Sequence, residues 1–291
     1  MAKAKKSDAF EIDFDSYIRQ GEPDKKEKSI AWAIATGLQQ VDGLTPSEFL
    51  YKTAKRNIEG EITIEQARKL VDAYYESKTT REDDDDEKEE ADKVSARIAQ
   101  ILKDKTFDFS PDCLIHIHGK IFEGVFKFAG TVRTYNITKK EWVLDGDTVF
   151  YSDCDMIRKT LDYDFAQEKN FNYKTLQPKE KVKHFARFIA NIWQIHPFGE
   201  GNTRTTAVFA IKYLRWLGYS ADNLIFEKNS WYFRNALVRA NYSNTAKGVY
   251  MDTSFLEALF GNIMLGEQNE LKNRYLHIRA NELLKAKKSD G

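Results

Sequence analysis

The sequence predicts a mostly α-helical protein with one small β-hairpin and an N-terminal helical section. Three observations lead to this fold class. Apolar residues recur at helical spacing over long stretches, and capping patterns precede several of those stretches. β-Branched and aromatic residues dominate only between Val132 and Ser152, where Asp145-Gly146 is a hairpin turn signal.

The N-terminal third has the pattern of several short helices. Residues 29–38 predict a first apolar helix, and Thr45-Pro46-Ser47-Glu48 matches a capping box with proline at the first helical position. The pair Thr63 and Gln66 repeats the capping box before a third helix, which we expect to end near Glu76. Because three short helices bury little surface by themselves, we expect them to pack on the rest of the chain.

Changes in composition divide the chain. Residues 79–90 contain six successive acids and no apolar side chain, which indicates a solvated linker or a helix start. The expected sections are a flexible tail at 1–28, a helical section at 29–78, an acidic linker at 79–90, the main domain at 91–268, and a C-terminal helix and tail at 269–291.

Composition excludes several classes of function. The 291 residues contain 45 Lys and Arg and 45 Asp and Glu, so no basic field points to nucleic acid. No apolar run approaches the ~20 residues of a membrane span, and the start of the chain lacks an apolar signal segment. Two cysteines, Cys113 and Cys154, form no disulfide framework and no metal spacing. The sequence predicts a cytoplasmic protein whose partners are small molecules and proteins.

The strongest functional signal is the loop His196–Arg204, with the sequence HPFGEGNTR. A predicted helix over 178–193 leads into it and a second over 203–217 leaves it, with Gly218 where the second helix should stop. The loop therefore ends on a helix N-terminus. Free backbone N–H groups and the positive end of the helix dipole favour an anion there, such as a nucleotide phosphate.

The polar residues of this loop suit phosphate chemistry. The unperturbed pKa of a histidine lies near neutrality, so His196 can accept a proton from an incoming hydroxyl. Glu200 can reach phosphates through Mg²⁺, which takes only one or two protein oxygens. Asn202 can donate to a phosphate oxygen or hold the loop through the backbone, and the spacing leaves both roles open. Arg204 lies in the first helical turn, where a bound anion would offset its unfavourable position on the dipole.

The loop resembles the signature of the Fic family, His-x-Phe-x-Asp/Glu-Gly-Asn-Gly-Arg-x-x-Arg. The residues in register are His196, Phe198, Glu200, Gly201, Asn202 and Arg204. Residues 121–136 are similar to the family segment before its flap, and 231–241 to a later helix of its nucleotide pocket, so the similarity spans roughly 91–265. Two positions depart from the signature: Thr203 replaces its second glycine, and Ala207 its second arginine.

The resemblance implies a Fic-type helical fold and a protein adenylyltransferase. Such an enzyme transfers AMP from ATP to a Ser, Thr or Tyr hydroxyl of a target protein and releases pyrophosphate. ATP would be the co-substrate, Mg²⁺ the cofactor, and the hairpin at 132–152 a flap on which the target protein docks. By position, the implied roles are the general base at His196, the metal ligand at Glu200, phosphate contacts at Asn202 and Arg204, a backbone cradle at Gly201 and Thr203, and an adenosine contact at Asn241.

Two rival functions stay open. The same loop could transfer another phosphate-containing group, phosphoryl or phosphocholine, or the chain could be a nucleotide-binding interaction module whose chemistry has decayed. The signature loop alone does not separate them.

The resemblance also raises expectations about how the activity is inhibited. The N-terminal section resembles the antitoxin-like module of some Fic proteins, which inserts a Ser/Thr-x-x-x-Glu-Gly segment into the ATP site. Leu38-x-x-x-Asp42-Gly43 and Lys55-x-x-x-Glu59-Gly60 come near this pattern without the hydroxyl residue, and Ala207 removes the arginine that the glutamate would grip. We expect inhibition of the usual kind to be absent or rebuilt.

Overall fold

The computed structural model describes residues 12–221, 224–280 and 282. Within these ranges the chain forms eleven α-helices and several short 3₁₀ turns, and its only strand-like pairing is a single antiparallel bridge between Asn244 and Val249. The mostly α-helical fold class is confirmed. The chain divides into two compact units, Met1–Lys105 and Thr106–Gly291.

The first unit is built from five helices. They are α1 (Phe14–Gln20), α2 (Pro23–Gly37), α3 (Glu48–Ile58), α4 (Ile64–Glu76) and α5 (Asp85–Lys103). The apolar second half of α2 is buried against α1, α3 and α5, and α4 packs on α3 and α5. In this core the indole N–H of Trp32 donates to Asn57 Oδ1 at 3.0 Å, so a buried polar group is satisfied.

Local capping explains where these helices begin. The capping box of Thr63 and Gln66 is present, and α4 ends at Glu76 as predicted. The box predicted at Thr45 is wrong in its register, because Ser47 is the N-cap and its hydroxyl accepts from the amide of Leu50. The expected flexible tail at 1–28 is also wrong from residue 14 onward, since Asp13 caps α1 and Pro23 opens α2. Residues 1–11 lie outside the described ranges.

The acidic stretch is largely the beginning of α5. Asp85, Asp86 and Glu87 occupy its first turn, where carboxylates interact favourably with the helix dipole, and Asp85 is paired with Lys78. Of the two interpretations of residues 79–90, the helix start is the better one. Since α5 belongs to the first unit, the division falls after residue 105 and not after residue 90.

The second unit contains six helices. They are α6 (Pro111–Phe122), α7 (Ile157–Lys169), α8 (Pro178–Ile195), α9 (Asn202–Trp216), α10 (Ile225–Ala240) and α11 (Ser254–Met264). Helix α8 is central and packs against α7, α9, α10 and α11, while α6 packs on α9. The predicted bounds of α8 and α9 agree with the structure to within two residues, and Gly218 follows α9 with a φ of +90°.

The segment 132–152 is not a β-hairpin. Its chain does reverse at Asp145 and Gly146, whose φ angles are +58° and +85°, as the turn signal predicts. The two arms form no strand ladder, and side chains bond some of their backbone carbonyls. Arg133 donates to the carbonyls of Tyr135 and Ser152. The predicted flap is therefore an irregular reversing segment with a 3₁₀ turn at Trp142–Leu144.

The C-terminal part follows α11 as irregular chain with a 3₁₀ turn at Asn273–Tyr275. The amide of Ile278 donates to the carbonyl of Val143 at 2.9 Å, which fixes this part to the segment 132–152. In the part of 269–291 that the structure describes, helical backbone is assigned only at Ala280 and Glu282, and residues 281 and 283–291 lie outside the described ranges. None of the described helices has the length and apolar character needed to cross a membrane.

Candidate active site

His196 ends α8 in a left-handed conformation, with φ +50° and ψ +60°. Its side chain is 3% exposed, and its Nδ1 lies 3.2 Å from the carbonyl oxygen of Trp193. A carbonyl only accepts, so this contact assigns the ring proton to Nδ1 and leaves the Nε2 lone pair to act as a base. The ring packs between Tyr151, at 4.2 Å between centroids, and the edge of Trp193.

The surroundings of His196 keep its imidazole neutral. Burial lowers its pKa well below 6.5, and the positive charges of Lys139, Arg133 and Arg234 lower it further. A neutral ring with a fixed tautomer is the form that takes a proton from a hydroxyl group.

Arg133 holds the start of the loop in place. Its guanidinium is buried and donates from Nε to the carbonyl of His196 at 2.8 Å and from Nη2 to that of Ile195 at 3.3 Å. Its own amide donates to the carbonyl of Pro197 at 2.8 Å. The same side chain bonds Tyr135 and Ser152, so one arginine ties the segment 132–152 to the loop.

Asn202 closes the loop from inside. Its Nδ2 donates to the carbonyl of Phe198 at 2.8 Å, and its Oδ1 accepts from the amide of Phe198 at 3.0 Å. Of the two roles left open by the sequence, the structure displays the backbone one. Phe198 is itself buried and stacks on His118 at 3.7 Å between ring centroids.

His118 on α6 supports the loop from below, and the sequence did not reveal it. Its Nδ1 accepts from the amide of Gly130 at 2.9 Å, and its Nε2 lies 3.1 Å from the carbonyl of Glu200, to which it donates. Burial lowers its pKa to about 4. No local pattern in the sequence marks this residue as a partner of a loop 82 positions away.

Gly201, Thr203 and Arg204 form the start of α9. Gly201 has a φ of +77°, and a Cβ there would lie 2.3 Å from the ring of Phe122, so only glycine fits. The Thr203 hydroxyl accepts from the indole N–H of Trp193 at 3.0 Å, which gives this departure from the signature a structural use. Arg204 is buried, with its guanidinium 4.8 Å from the ring centre of Phe122.

The first intrahelical bond of α9 runs from the Thr205 amide to the Gly201 carbonyl. The amides of Asn202 and Thr203 precede that bond and point along the helix axis toward the loop. With the positive end of the helix dipole, this arrangement favours an anion.

Glu200 is the exposed acid of the loop. One of its carboxylate oxygens, Oε2, lies 2.9 Å from the ammonium of Lys139, and the side chain is 55% exposed. A cation thus already stands at this carboxylate, beside a helix start that favours phosphate. A single carboxylate with room for water and phosphate oxygens is the donor set that suits Mg²⁺, so the residues fit that ion.

The hydrogen bonds of the Asn241 amide nitrogen connect this residue to α8 and α10 and not to the loop. Nδ2 donates to the carbonyls of Ala190 and Leu237, both at 3.0 Å, and so joins the end of α10 to α8. The other predicted residues, His196, Glu200, Gly201, Asn202, Thr203 and Arg204, share one loop and helix start.

An ion pair between Glu141 and Arg234 joins the segment 132–152 to α10. Glu141 is 1% exposed and pairs with Arg234, with 2.7 Å between Oε2 and Nη1. Burial raises the pKa of Glu141, and the adjacent Arg234 opposes that shift. The Tyr151 hydroxyl lies 3.5 Å from Glu141 Oε1, which connects this pair to the ring packed on His196.

Comparison with known proteins agrees with this geometry. Residues 108–214, which span α6 to most of α9, match the family described as the Fic/DOC family. Residues 108–214 are thus similar to a Fic/DOC domain. The match begins just after the boundary between the two units, so the matched residues lie in the second unit.

Two known proteins are similar to parts of this chain. A protein of Sinorhizobium fredii named "Probable protein adenylyltransferase y4lH" is 28% identical over 148 residues, which cover 50% of this chain and 71% of that protein. The solved N-terminal FIC domain of Bep8, described as a VirB-translocated effector protein of Bartonella sp. 1-1C, aligns with 64% of this chain and 88% of its own at 19% identity, with a TM-score of 0.48.

Proposed function

We propose that this protein is a Mg²⁺-dependent protein adenylyltransferase that transfers AMP from ATP to a Ser, Thr or Tyr hydroxyl of a target protein. One observation carries the proposal: a buried, neutral histidine with its Nε2 lone pair available ends α8 and belongs to the same loop as the anion-favouring start of α9. The Fic/DOC match and the name of the Sinorhizobium relative support a transferase of this kind.

The proposed reaction assigns each proton and bond. The target hydroxyl gives its proton to His196 Nε2 while its oxygen forms a bond to the α-phosphorus. The bond from that phosphorus to the bridging oxygen of the β-phosphate breaks, and pyrophosphate leaves. Glu200 would hold the Mg²⁺, which supplies charge neutralisation at the phosphates. The backbone at Gly201 and Thr203 would line the phosphates, and Arg204 would add positive charge beside them.

The segment 132–152 is the proposed docking surface for the target. It offers no regular strand edge, so docking would rely on its side chains more than on a β-ladder. Its exposed large side chains include Phe150, at 81%, Tyr135, at 55%, and Trp142, at 51%. Exposed aromatic residues beside a site are the residue type that interfaces favour.

Labelled ATP tests the proposal against its rivals. The purified protein is incubated with MgATP labelled at the α- or the γ-phosphate, alone and with an extract of its native cells, and the products are separated and weighed intact. AMP transfer incorporates the α label and releases pyrophosphate. Incorporation of the γ label would instead show a kinase-like transfer. Phosphocholine added from CDP-choline, with no label taken from ATP, would show that rival, and no transfer from either donor would favour the decayed binding module.

A further inference from the structure

Lys139 contacts the candidate site through Glu200 although the loop signature does not include it. Its Nζ lies 2.9 Å from Glu200 Oε2, and its amide donates to the Thr148 hydroxyl at 3.3 Å. The side chain is 27% exposed, whereas the neighbouring Lys140 is exposed. The 61-residue separation from Glu200 shows that the fold, and not the local sequence, brings this ammonium to the loop.

The ammonium of Lys139 also affects His196. After burial, the charge of Lys139 is the largest cause that lowers the pKa of His196. The ammonium therefore acts on both the proposed base and the proposed metal ligand. In the proposed function, the phosphates of the co-substrate would lie near these two groups.

Two further cations, Arg133 and Arg234, lower the pKa of His196, and each is bonded to other groups of the protein. Arg133 donates to the carbonyls of Tyr135, Ser152, Ile195 and His196. Arg234 forms a pair with the buried Glu141, which would lose a partner in a dry environment if the arginine moved. Of these three cations, Lys139 is the one whose partner is a solvent-exposed carboxylate.

Breaking the Lys139–Glu200 pair costs little free energy, so the ammonium can exchange one acceptor for another. Exposed ion pairs add little net stability, because water and salt screen them. A phosphate oxygen is an equally good acceptor for an ammonium and carries more charge nearby. When a divalent ion takes the carboxylate of Glu200, the ammonium loses its partner at the moment that phosphates arrive.

We propose that Lys139 is a phosphate-binding residue of this site, whose ammonium leaves Glu200 for a non-bridging phosphate oxygen when a nucleoside triphosphate binds. The inference rests on the proposed function, since it names a further binding residue for the same co-substrate. It gives the segment 132–152 a direct contact with the nucleotide in addition to its proposed contact with the target.

The test is the binding of a non-transferable ATP analogue, α,β-methylene-ATP, measured by calorimetry on the full chain. Wild type, Lys139→Met, Lys139→Arg and the matched control Lys140→Met are compared, first in EDTA and then with Mg²⁺. In EDTA we expect Lys139→Met to weaken binding about tenfold, Lys139→Arg to keep most of the affinity, and Lys140→Met to stay within about twofold. Thermal melting of the variants should match wild type, because an exposed pair adds little stability.

The outcomes separate the two levels of the proposal. If wild type binds the analogue and Lys139→Met binds it equally well in EDTA, Lys139 is no phosphate ligand, and the proposed function is unaffected. Equal losses in Lys139→Met and Lys140→Met would also overturn the inference, since they would reveal only a general positive field. If wild type fails to bind the analogue with Mg²⁺, the proposed function itself fails and this inference fails with it.

Discussion

Burial and three nearby cations lower the pKa of His196 well below 6.5. Its neutral form, which is the form that can accept a proton, therefore persists to lower pH than in a free histidine. We predict that the acid limb of kcat/KM for AMP transfer lies below pH 6.5, so the rate changes little between about pH 8 and that value. The measurement is the pH profile of label transfer at fixed Mg²⁺. An acid limb at or above pH 6.5 would contradict the neutral, buried base.

His118 makes a separate prediction about stability. Its pKa is lowered to about 4, so between pH 6.5 and about 4 the unfolded chain binds a proton at this histidine that the native chain does not. The free energy of unfolding thus falls as pH decreases through that window, by about 3 kcal/mol from this group. In His118→Phe this part of the pH dependence should disappear. The variant should also be less stable than wild type at pH 7.5, because the Gly130 amide and the Glu200 carbonyl lose their partner.

Urea unfolding of the two proteins at several pH values checks this prediction. A control with His116→Phe, at an exposed position on the same helix, should keep the wild-type slope. If His118→Phe loses stability on acidification as steeply as wild type, then His118 is not the group responsible.

Single residues differ in how well the sequence reveals them. The loop residues from His196 to Arg204 could be predicted because their chemistry and spacing are contiguous in the chain. The roles of His118, Arg133 and Lys139 could not be predicted, because their partners lie 82, 63 and 61 residues away. No local pattern encodes such pairs. The one use assigned to Asn202 by the structure, holding Phe198, was foreseen only as an alternative.

At the scale of elements, helix starts were predictable where capping is local. Thr63 with Gln66, and Pro178, mark helix starts that the structure confirms. The β-hairpin was predicted from β-branched and aromatic composition, which reports a preference for extended chain but not its partner. The carbonyls of the segment 132–152 found side-chain donors instead of a second strand, and composition cannot foresee that choice.

Arg133 is the residue on which this irregular segment depends. We predict that Arg133→Lys, which keeps the charge but cannot reach four carbonyls, speeds amide hydrogen exchange across residues 135–152 about tenfold, or ~1.4 kcal/mol of local opening. Hydrogen-exchange mass spectrometry measures it. Arg187→Lys, at an exposed position of α8, is the matched control and should leave exchange there unchanged. Equal protection in Arg133→Lys and wild type would show that other contacts hold the segment.

At the scale of the whole molecule, the first unit contains the two candidate inhibitory acids, Asp42 and Glu59. Glu59 is engaged within that unit, where it accepts from the Tyr17 hydroxyl and pairs with Lys25 at 2.9 Å. These contacts lower the pKa of Glu59, with the Tyr17 bond as the largest cause. Asp42 ends a 3₁₀ turn in the same unit. Since Ala207 offers no guanidinium, neither acid has the partner that the resemblance would require.

We therefore predict that Asp42→Ala and Glu59→Ala each leave AMP transfer within about twofold of wild type at saturating MgATP. Transfer rates on the same protein target, with melting curves to confirm folding, provide the measurement. A rise of about tenfold in either variant, equivalent to ~1.4 kcal/mol of relieved inhibition, would reveal a rebuilt inhibitory contact.

The division into two units and the mostly helical class emerge from the sequence, but the boundary does not. The six acids at residues 82–87 are compatible with a linker or a helix start, and the structure places Asp85, Asp86 and Glu87 in the first turn of α5, which packs on other helices of the first unit. Whether a charged stretch is a linker or a helix start depends on the apolar residues that follow it, here from Ala91 onward. The cytoplasmic location stays a prediction from composition.

The central claim is that His196 is the general base of an AMP transfer, and replacing it tests that claim most directly. Transfer of the α-phosphate label and release of pyrophosphate are measured together for wild type, His196→Ala and the exposed-histidine control His116→Ala, with melting curves to confirm folding. We predict a fall of ~10²–10⁴ in both products for His196→Ala and wild-type rates for His116→Ala. A folded His196→Ala variant that keeps more than about half of the wild-type rate would contradict the account.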